Sequence, residues 1–232
     1  HNVIVREQDC GTNEGIEVVR FGEVTGDPPD EIIEKGAALA KKEEVDGVVG
    51  IGGGSALDTA KGINVLLGNP SPITRYHDKS IEISPGEVLV LLPTTAGTGS
   101  EVNNVAVITD TKNNKKSGVK GSACVAKLAI VDPQFTAGLP AKTTAITGMD
   151  TFAHGVESMT SILANPMADM LDEKVITLVT RYLPVAIKNG SDMTARSNLS
   201  FASMIAGMAF DNTVLHLGHA IAHTIGAVYH IP

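Results

Sequence analysis

Asp46–Lys61 reads DGVVGIGGGSALDTAK and changes character at its centre. The first half is apolar and β-branched, the pattern of a short buried strand. The second half, continued by GINVLL, is a helix former. Between them stand Gly52, Gly53, Gly54 and Ser55. A strand that runs through glycines into a helix is a local design for holding phosphate. Without a Cβ the backbone can be approached closely, and the first helical turn offers unpaired N–H groups and a positive dipole end. The spacing is not G-x-G-x-x-G, and no Lys-Ser/Thr pair follows where a P-loop needs one. Alone, the stretch is equally a tight turn. A second stretch, VLVLLPTTAGTGSE (Val88–Glu101), repeats the design with Thr94, Thr95, Thr98 and Ser100 beside further glycines. Ligands of open α/β sheets bind outside the carboxyl ends of the strands, so two such turns favour a nucleotide.

Working outward, NVIV (Asn2–Val5), GIEVVRF (Gly15–Phe21), VAVITD (Val105–Asp110) and LAIVDP (Leu128–Pro133) read as further strands. GDPPDEIIEKGAALAKKEEVD (Gly26–Asp46) reads as a helix, with Asp27 as N-cap, Pro28 at the first helical position and Lys41 and Lys42 in the last turn. Strands alternating with helices imply a parallel sheet with crossover connections. After Pro140 the apolar period becomes helical, with Ile146, Met149, Phe152, Val156 and Met159 on one stripe. MLDEKVITLVTRYLPVAIKNG (Met170–Gly190), RSNLSFASMIAGMAF (Arg196–Phe210) and HLGHAIAHTIGAVYHIP (His216–Pro232) supply three more helices and no strand is expected there. The chain is therefore expected to divide into an α/β dinucleotide-binding domain, 1–140, and an all-α domain, 141–232.

The totals agree with a globular protein: 232 residues, 43% hydrophobic and 19% charged. A net charge of -8 argues against nucleic acid or an anionic membrane as the main partner. Cys10 and Cys124 form neither a metal-like spacing nor a disulfide framework, which fits a reducing cytoplasm. No signal peptide is visible and no apolar run reaches the roughly 18 residues of a membrane span.

Asp150 and His154 lie one helical turn apart, so both point to one face. His219 and His223 repeat that spacing on another helix, with His216 on their face. Four of the chain's seven histidines fall in the last seventeen residues, within an otherwise apolar helix. Burying several imidazoles without a metal or partner is costly. Asp150, His154 and one or both of His219 and His223 make an oxygen/nitrogen site for Zn²⁺ or Fe²⁺. Spacing alone does not choose between the two C-terminal histidines. A nucleotide site in one half and a metal site in the other point to metal-assisted hydride transfer in a cleft between them.

Four motifs, GIGGGSALDTAK, PTTAGTGSEV, GMDTFAHGVES and HLGHAIAHTIGAVYHIP, together resemble the iron-containing (group III) alcohol dehydrogenases. That group includes lactaldehyde reductase, 1,3-propanediol dehydrogenase and butanol dehydrogenases. The resemblance runs from about Gly15 to Pro232, in order and with matching spacing. It implies a Rossmann-like α/β domain followed by a helical metal domain, a small alcohol or aldehyde as substrate, NAD or NADP as cofactor, and a homo-oligomer. By motif, Asp150, His154 and His219 are the implied metal ligands, for Fe²⁺ before Zn²⁺. His223 is the implied catalytic histidine beside the substrate, a proton relay. Gly53, Gly54 and Ser55 match the pyrophosphate turn, Thr94, Thr95 and Thr98 the second cofactor turn, and Lys116 a cofactor-contacting lysine.

Glu7, after the strand VIV, stands where an acidic side chain in such folds accepts a hydrogen bond from the ribose 2′-OH and repels a 2′-phosphate, which favours NAD. Arg6 beside it could pair with a 2′-phosphate and keeps NADP open. The resemblance also implies a fourth ligand, a histidine directly after Pro232, and a helix between NVIVREQD and EGIEVV for which there is too little room. Both features are expected of a partial record of a longer protein. Two other readings stand beside the dehydrogenase: a non-catalytic nucleotide-binding protein and a glycerol-dehydrogenase-like polyol oxidoreductase.

Overall fold

The glycine-ended strand and the helix after it form as the sequence predicts, and the first unit is built on them. The computed structural model describes residues 3–5 and 17–229, with residues 3–5 and 227–229 by backbone alone. Arg6, Glu7 and His230 lie outside the described residues.

In chain order the elements are β1 (Val3–Val5), α1 (Asp30–Lys42), β2 (Gly47–Gly52), α2 (Gly54–Gly68), β3 (Val88–Pro93), β4 (Val105–Asp110), β5 (Lys115–Lys120), β6 (Leu128–Ala129), α3 (Ala141–Met159), α4 (Pro166–Lys188), α5 (Met193–Thr213) and α6 (Leu217–Tyr229). They belong to two units. One takes the chain up to Pro93 and Asn103–Ile130; the other takes Thr94–Val102 and the chain from Val131 onward.

In the first unit the sheet order is β1-β2-β3-β6. β2 and β3 pair in parallel from Gly47↔Val88 to Gly52↔Pro93, and β3 and β6 pair in parallel. Gly50 lets α2 lie close on β2, since a Cβ there would sit 2.8 Å from both the Ala60 Cβ and a Leu91 methyl. Ile33, Val48, Leu57, Ile63, Leu66, Leu89, Leu91 and Ile108 are buried almost completely and form the core. Each such side chain contributes about 1.5–3 kcal/mol by leaving water.

Several sequence expectations need correction here. β1 runs antiparallel to β2, so the sheet is mixed. VAVITD is a strand, but it pairs antiparallel with β5 in a separate hairpin, Val105↔Lys120 to Asp110↔Lys115. Of GIEVVRF, only Glu17 makes a bridge within the described part, and Phe21 is held by burial in the core instead of by a ladder. LAIVDP shortens to two strand residues because Asp132 accepts from the Gln134 N–H and starts a 3₁₀ turn at Pro133. Asp27 is not an N-cap: α1 starts at Asp30 after Pro29, and Asp27 has a left-handed φ of 52°.

Among its described residues the regular elements of the second unit are all helices. α4 and α5 share the core, with Val175, Leu178, Val179 and Leu183 against Leu199, Ala202, Ile205 and Ala206. Asn165 and Asp192 cap these helices by accepting from the Ala168 and Ala195 N–H groups. The helical period expected after Pro140 is present in α3, and its apolar stripe is largely exposed at Ile146, Met149 and Val156. α3 buries its small and polar face instead: Thr144, Gly148, Thr151, His154, Gly155, Glu157 and Ser158. Gly148 admits Leu183, whose methyl lies 2.3 Å from where a Cβ would stand, so close helix approach replaces apolar bulk. No helix among the described residues is long and apolar enough to cross a membrane.

Asp172 on α4 is fully buried and neither carboxylate oxygen has a hydrogen-bond partner among the described residues. Burial, aided by Asp169 and opposed by Ser158, pushes its carboxyl up to about 6 from 3.8. A carboxyl that holds its proton more tightly when folded costs stability above that value, and the cost fades as pH falls toward the unfolded value. Asp172→Asn should therefore raise unfolding stability by about 2 kcal/mol at pH 8 and leave it nearly unchanged at pH 4. Urea denaturation at the two pH values measures this; an equal effect at both would show that the charge is not the cause.

Candidate metal and cofactor sites

In the second unit α3 carries Asp150 and His154 one turn apart, and α6 brings His219 to them. The His154 Nε2 lies 3.8 Å and the His219 Nε2 3.5 Å from the same Asp150 oxygen, Oδ1. One ligand atom from each of the three residues falls within 4.8 Å of the others, the clustering that a single ion can draw together. The two imidazoles stack, centroids 4.6 Å apart and planes at 16°, and Phe210 packs against the His154 ring at 4.6 Å.

Each ring is fixed by its other nitrogen. His154 Nδ1 lies 3.2 Å from the Gly97 carbonyl oxygen, and His219 Nδ1 lies 2.8 Å from Glu157 Oε1. Both partners can only accept, so Nδ1 carries a proton in each, and either ring when neutral keeps its lone pair on Nε2. The His219 Nε2 is buried and has no hydrogen-bond partner among the described residues. A buried imidazole nitrogen beside a carboxylate and a second imidazole is the donor arrangement of a metal-ligating set. The donor set fits a divalent metal.

The electrostatics follow from burial and neighbours. Burial pushes His154 below the ordinary imidazole value despite the opposing Asp150 carboxylate. His219 is also depressed by burial, but Asp150 and Glu157 outweigh this and raise it. Burial alone would raise Asp150, yet the imidazoles of His154, His219 and His223 hold it below the usual carboxylate range. His223, the expected proton relay, does not join the triad. It is exposed on α6, with its ring centroid 6.1 Å from that of His219.

The Thr94–Val102 turn belongs to this unit and reaches the triad through its backbone. Thr151 Oγ donates to the carbonyls of Ala96 and Gly97, at 3.4 and 3.2 Å. Gly99 has φ 58°, and its oxygen would lie 2.5 Å from any Cβ on Gly207, so two glycines let the turn lie on α5. Thr94, Thr95 and Thr98 are half-buried, and the Thr98 hydroxyl accepts from the Ser100 N–H.

In the first unit Gly53 is the N-cap of α2 and brings no side-chain cap to its first turn. The preceding Gly52 has φ 154°, a conformation that L side chains rarely adopt. Gly54 and Ser55 open the helix, so backbone N–H groups and the dipole face outward from β2. Ser55 Oγ accepts from the Asp27 N–H at 3.3 Å, and the Asp27 carboxylate pairs with Lys116 on β5. Lys116 is thus brought to the glycine turn through Asp27. The motif residues Asp58 and Lys61 do structural work: Asp58 accepts from the Val107 N–H, and the wholly buried Lys61 donates to the Asn103 and Val105 carbonyls and to Asn103 Oδ1, each at 2.9 Å.

Sequence reasoning missed Glu157, Asp27 and Gly97 as parts of these sites. Glu157 lies seven residues, two helical turns, after Asp150, and that spacing could have found it. Gly97 acts through its carbonyl, which side-chain chemistry does not reveal.

Two family models match: residues 6–133 match "Iron-containing alcohol dehydrogenase" and residues 144–232 match "Fe-containing alcohol dehydrogenase family, C-terminal". The chain is 40% identical over 225 residues to the sulfoacetaldehyde reductase of Bilophila wadsworthia (strain 3_1_6), covering 97% of this chain and 58% of that protein. Among solved structures, a 1,3-propanediol oxidoreductase superposes with TM-score 0.90 at 38% identity, covering 94% of this chain and 57% of that one. The sulfoacetaldehyde reductase of Bifidobacterium kashiwanohense, in complex with NAD+, superposes with TM-score 0.89 at 32% identity, covering 94% and 58%. The chain spans somewhat over half the length of the relatives it matches.

Proposed function

This chain belongs to the iron-containing alcohol dehydrogenase family, and on that premise we propose that it serves an NAD(P)-dependent, metal-dependent alcohol dehydrogenase or aldehyde reductase acting on a small alcohol and its aldehyde. In this reading residues 1–140 hold the dinucleotide and residues 141–232 hold the metal, Fe²⁺ before Zn²⁺. The observation that carries it is the buried His219 Nε2, which has no hydrogen-bond partner among the described residues and faces Asp150 and His154. A divalent metal supplies a Lewis acid that makes an alcohol hydroxyl easier to deprotonate, and a nicotinamide accepts the hydride. Asp150 contributes an oxygen and the two Nε2 atoms contribute imidazole nitrogens. The Gly97 carbonyl keeps His154 in the required tautomer.

Gly53, Gly54 and Ser55 take the pyrophosphate on backbone N–H groups. Thr94, Thr95 and Thr98 offer hydroxyls to the cofactor, and Lys116 offers a positive charge to its phosphates. His223, exposed beside His219, can move a proton between the substrate hydroxyl and solvent. The name NAD+ belongs to a relative's complex, and we extend it to this chain on the family match. Glu7 is the sequence's candidate for reading the ribose, and because β1 ends beside Gly47, at the end of β2 away from the glycine turn, the chain after Val5 would have to turn back to bring it there. The chain's two unmatched cysteines and its net charge of -8 support a cytoplasmic protein with no nucleic-acid or membrane partner, and the family resemblance supports a homo-oligomer.

Two outcomes test the reading. His219→Ala should abolish metal retention and turnover together, and metal content and rate both at wild-type level would overturn the ligand assignment. Glu7→Gly should improve use of NADP relative to NAD by roughly tenfold, since relieving a repulsion of about 1.4 kcal/mol is already that factor. Steady-state kinetics with both cofactors measures it, and an unchanged ratio would show that Glu7 does not read the ribose.

A further inference from the structure

Glu157 lies outside the ligand set, yet three features of the second unit converge on its carboxylate. Oε1 accepts from His219 Nδ1 at 2.8 Å, and Oε2 accepts from the His216 N–H at 2.9 Å. His216 is the residue whose carbonyl accepts the first bond of α6, from the Ala220 N–H. A carboxylate there satisfies one of the N–H groups that a helix start leaves unpaired and meets the positive end of its dipole. The third feature is Gly218: a Cβ at that position would stand 2.3 Å from Glu157 Oε1. The first turn of α6 is therefore shaped to admit this side chain. Glu157 is itself buried, so its charge is committed to these contacts.

The two ligand imidazoles are held differently. His154 is oriented by a backbone carbonyl, a neutral acceptor built into the Thr-rich turn. His219 is oriented by an ionisable side chain one helix away. A carboxylate behind a metal-ligating imidazole fixes its tautomer and raises its basicity as a donor. We propose that Glu157 is a positioning residue of the metal site: its carboxylate holds His219 as the Nδ1–H tautomer with Nε2 turned to Asp150 and His154, and seats the start of α6, so that metal affinity depends on Glu157. This rests on the ligand set proposed above.

Three measurements on the protein test it. Long-range ¹H–¹⁵N NMR of the metal-free wild type at alkaline pH, with His219 assigned against His219→Ala, should show the Nδ1–H tautomer. Finding the Nε2–H form would overturn the proposal without any variant at Glu157. Glu157→Gln leaves one acceptor oxygen where the carboxylate uses two, Oε1 for His219 and Oε2 for His216. It should lower Zn²⁺ affinity, measured by chelator competition, roughly 10–100-fold and mix the His219 tautomers. Thr160→Val removes another tie between α3 and α6, the Thr160 Oγ1 contact to His216 Nε2 at 2.8 Å. It should leave Zn²⁺ affinity within about twofold, because it does not touch His219. Wild-type affinity in Glu157→Gln, or an equal loss in Thr160→Val, would overturn the positioning role while leaving the ligand set intact. A wild type that retains no Zn²⁺ would instead remove the ligand set and this proposal with it.

Discussion

An imidazole has two nitrogens, and a ring that ligates through one must dispose of the other. Around Asp150 both histidines give Nδ1 to an oxygen that can only accept, the Gly97 carbonyl in one case and the Glu157 carboxylate in the other. Much of the helical unit's local structure serves this requirement. The Gly97 carbonyl is available because Gly99 takes a left-handed φ and Gly207 leaves room for it on α5. Thr151, one turn before His154 on α3, ties the same turn down. α3 can carry His154 and Glu157 inward because Gly148 and Gly155 leave room for Leu183 and Val175 of α4 and so bring the two helices close. Its polar inner face is therefore a consequence of the site and not a defect of packing.

The first unit meets a related demand at the N-terminus of α2. A turn that presents bare N–H groups must have no capping side chain, so something else has to hold the helix. Burial of α2 against β2 at Gly50 supplies part of this. Lys61 supplies another part: a buried ammonium is costly, and three oxygen acceptors offset that cost while fixing the start of β4. Asp58 adds a fourth tie, to the Val107 N–H. The helix is thus anchored along its length and left open at its end.

Where one local cause sets the structure, the chain could be read in advance. The glycine turn follows from strand and helix patterns that meet at Gly52, and Asp150 and His154 share a face by helical period alone. The choice of His219 over His223 was not available from spacing, because both repeat the same interval; it required the family motif, and the structure shows His219 inside and His223 exposed. The apolar period of α3 marks it as a helix but does not mark its buried side. Here glycine and hydroxyl contacts decide, and Ile146 and Met149 stay outside. The separate β4–β5 hairpin was missed for a different reason. KKSGVK (Lys115–Lys120) has little apolar content, and only its partner strand and the turn between them make it a strand. Asp27 looked like a helix cap by type and position, but its charge is taken by Lys116.

The central claim is that one divalent ion is held by Asp150 and by the Nε2 atoms of His154 and His219. Anomalous-scattering crystallography of the iron-loaded protein tests this most directly. A single peak should lie at about 2.0–2.2 Å from an Asp150 oxygen and both Nε2 atoms, with His219 Nδ1 still on Glu157. A peak bounded by other side chains, or contact through Nδ1 of either ring, would contradict it.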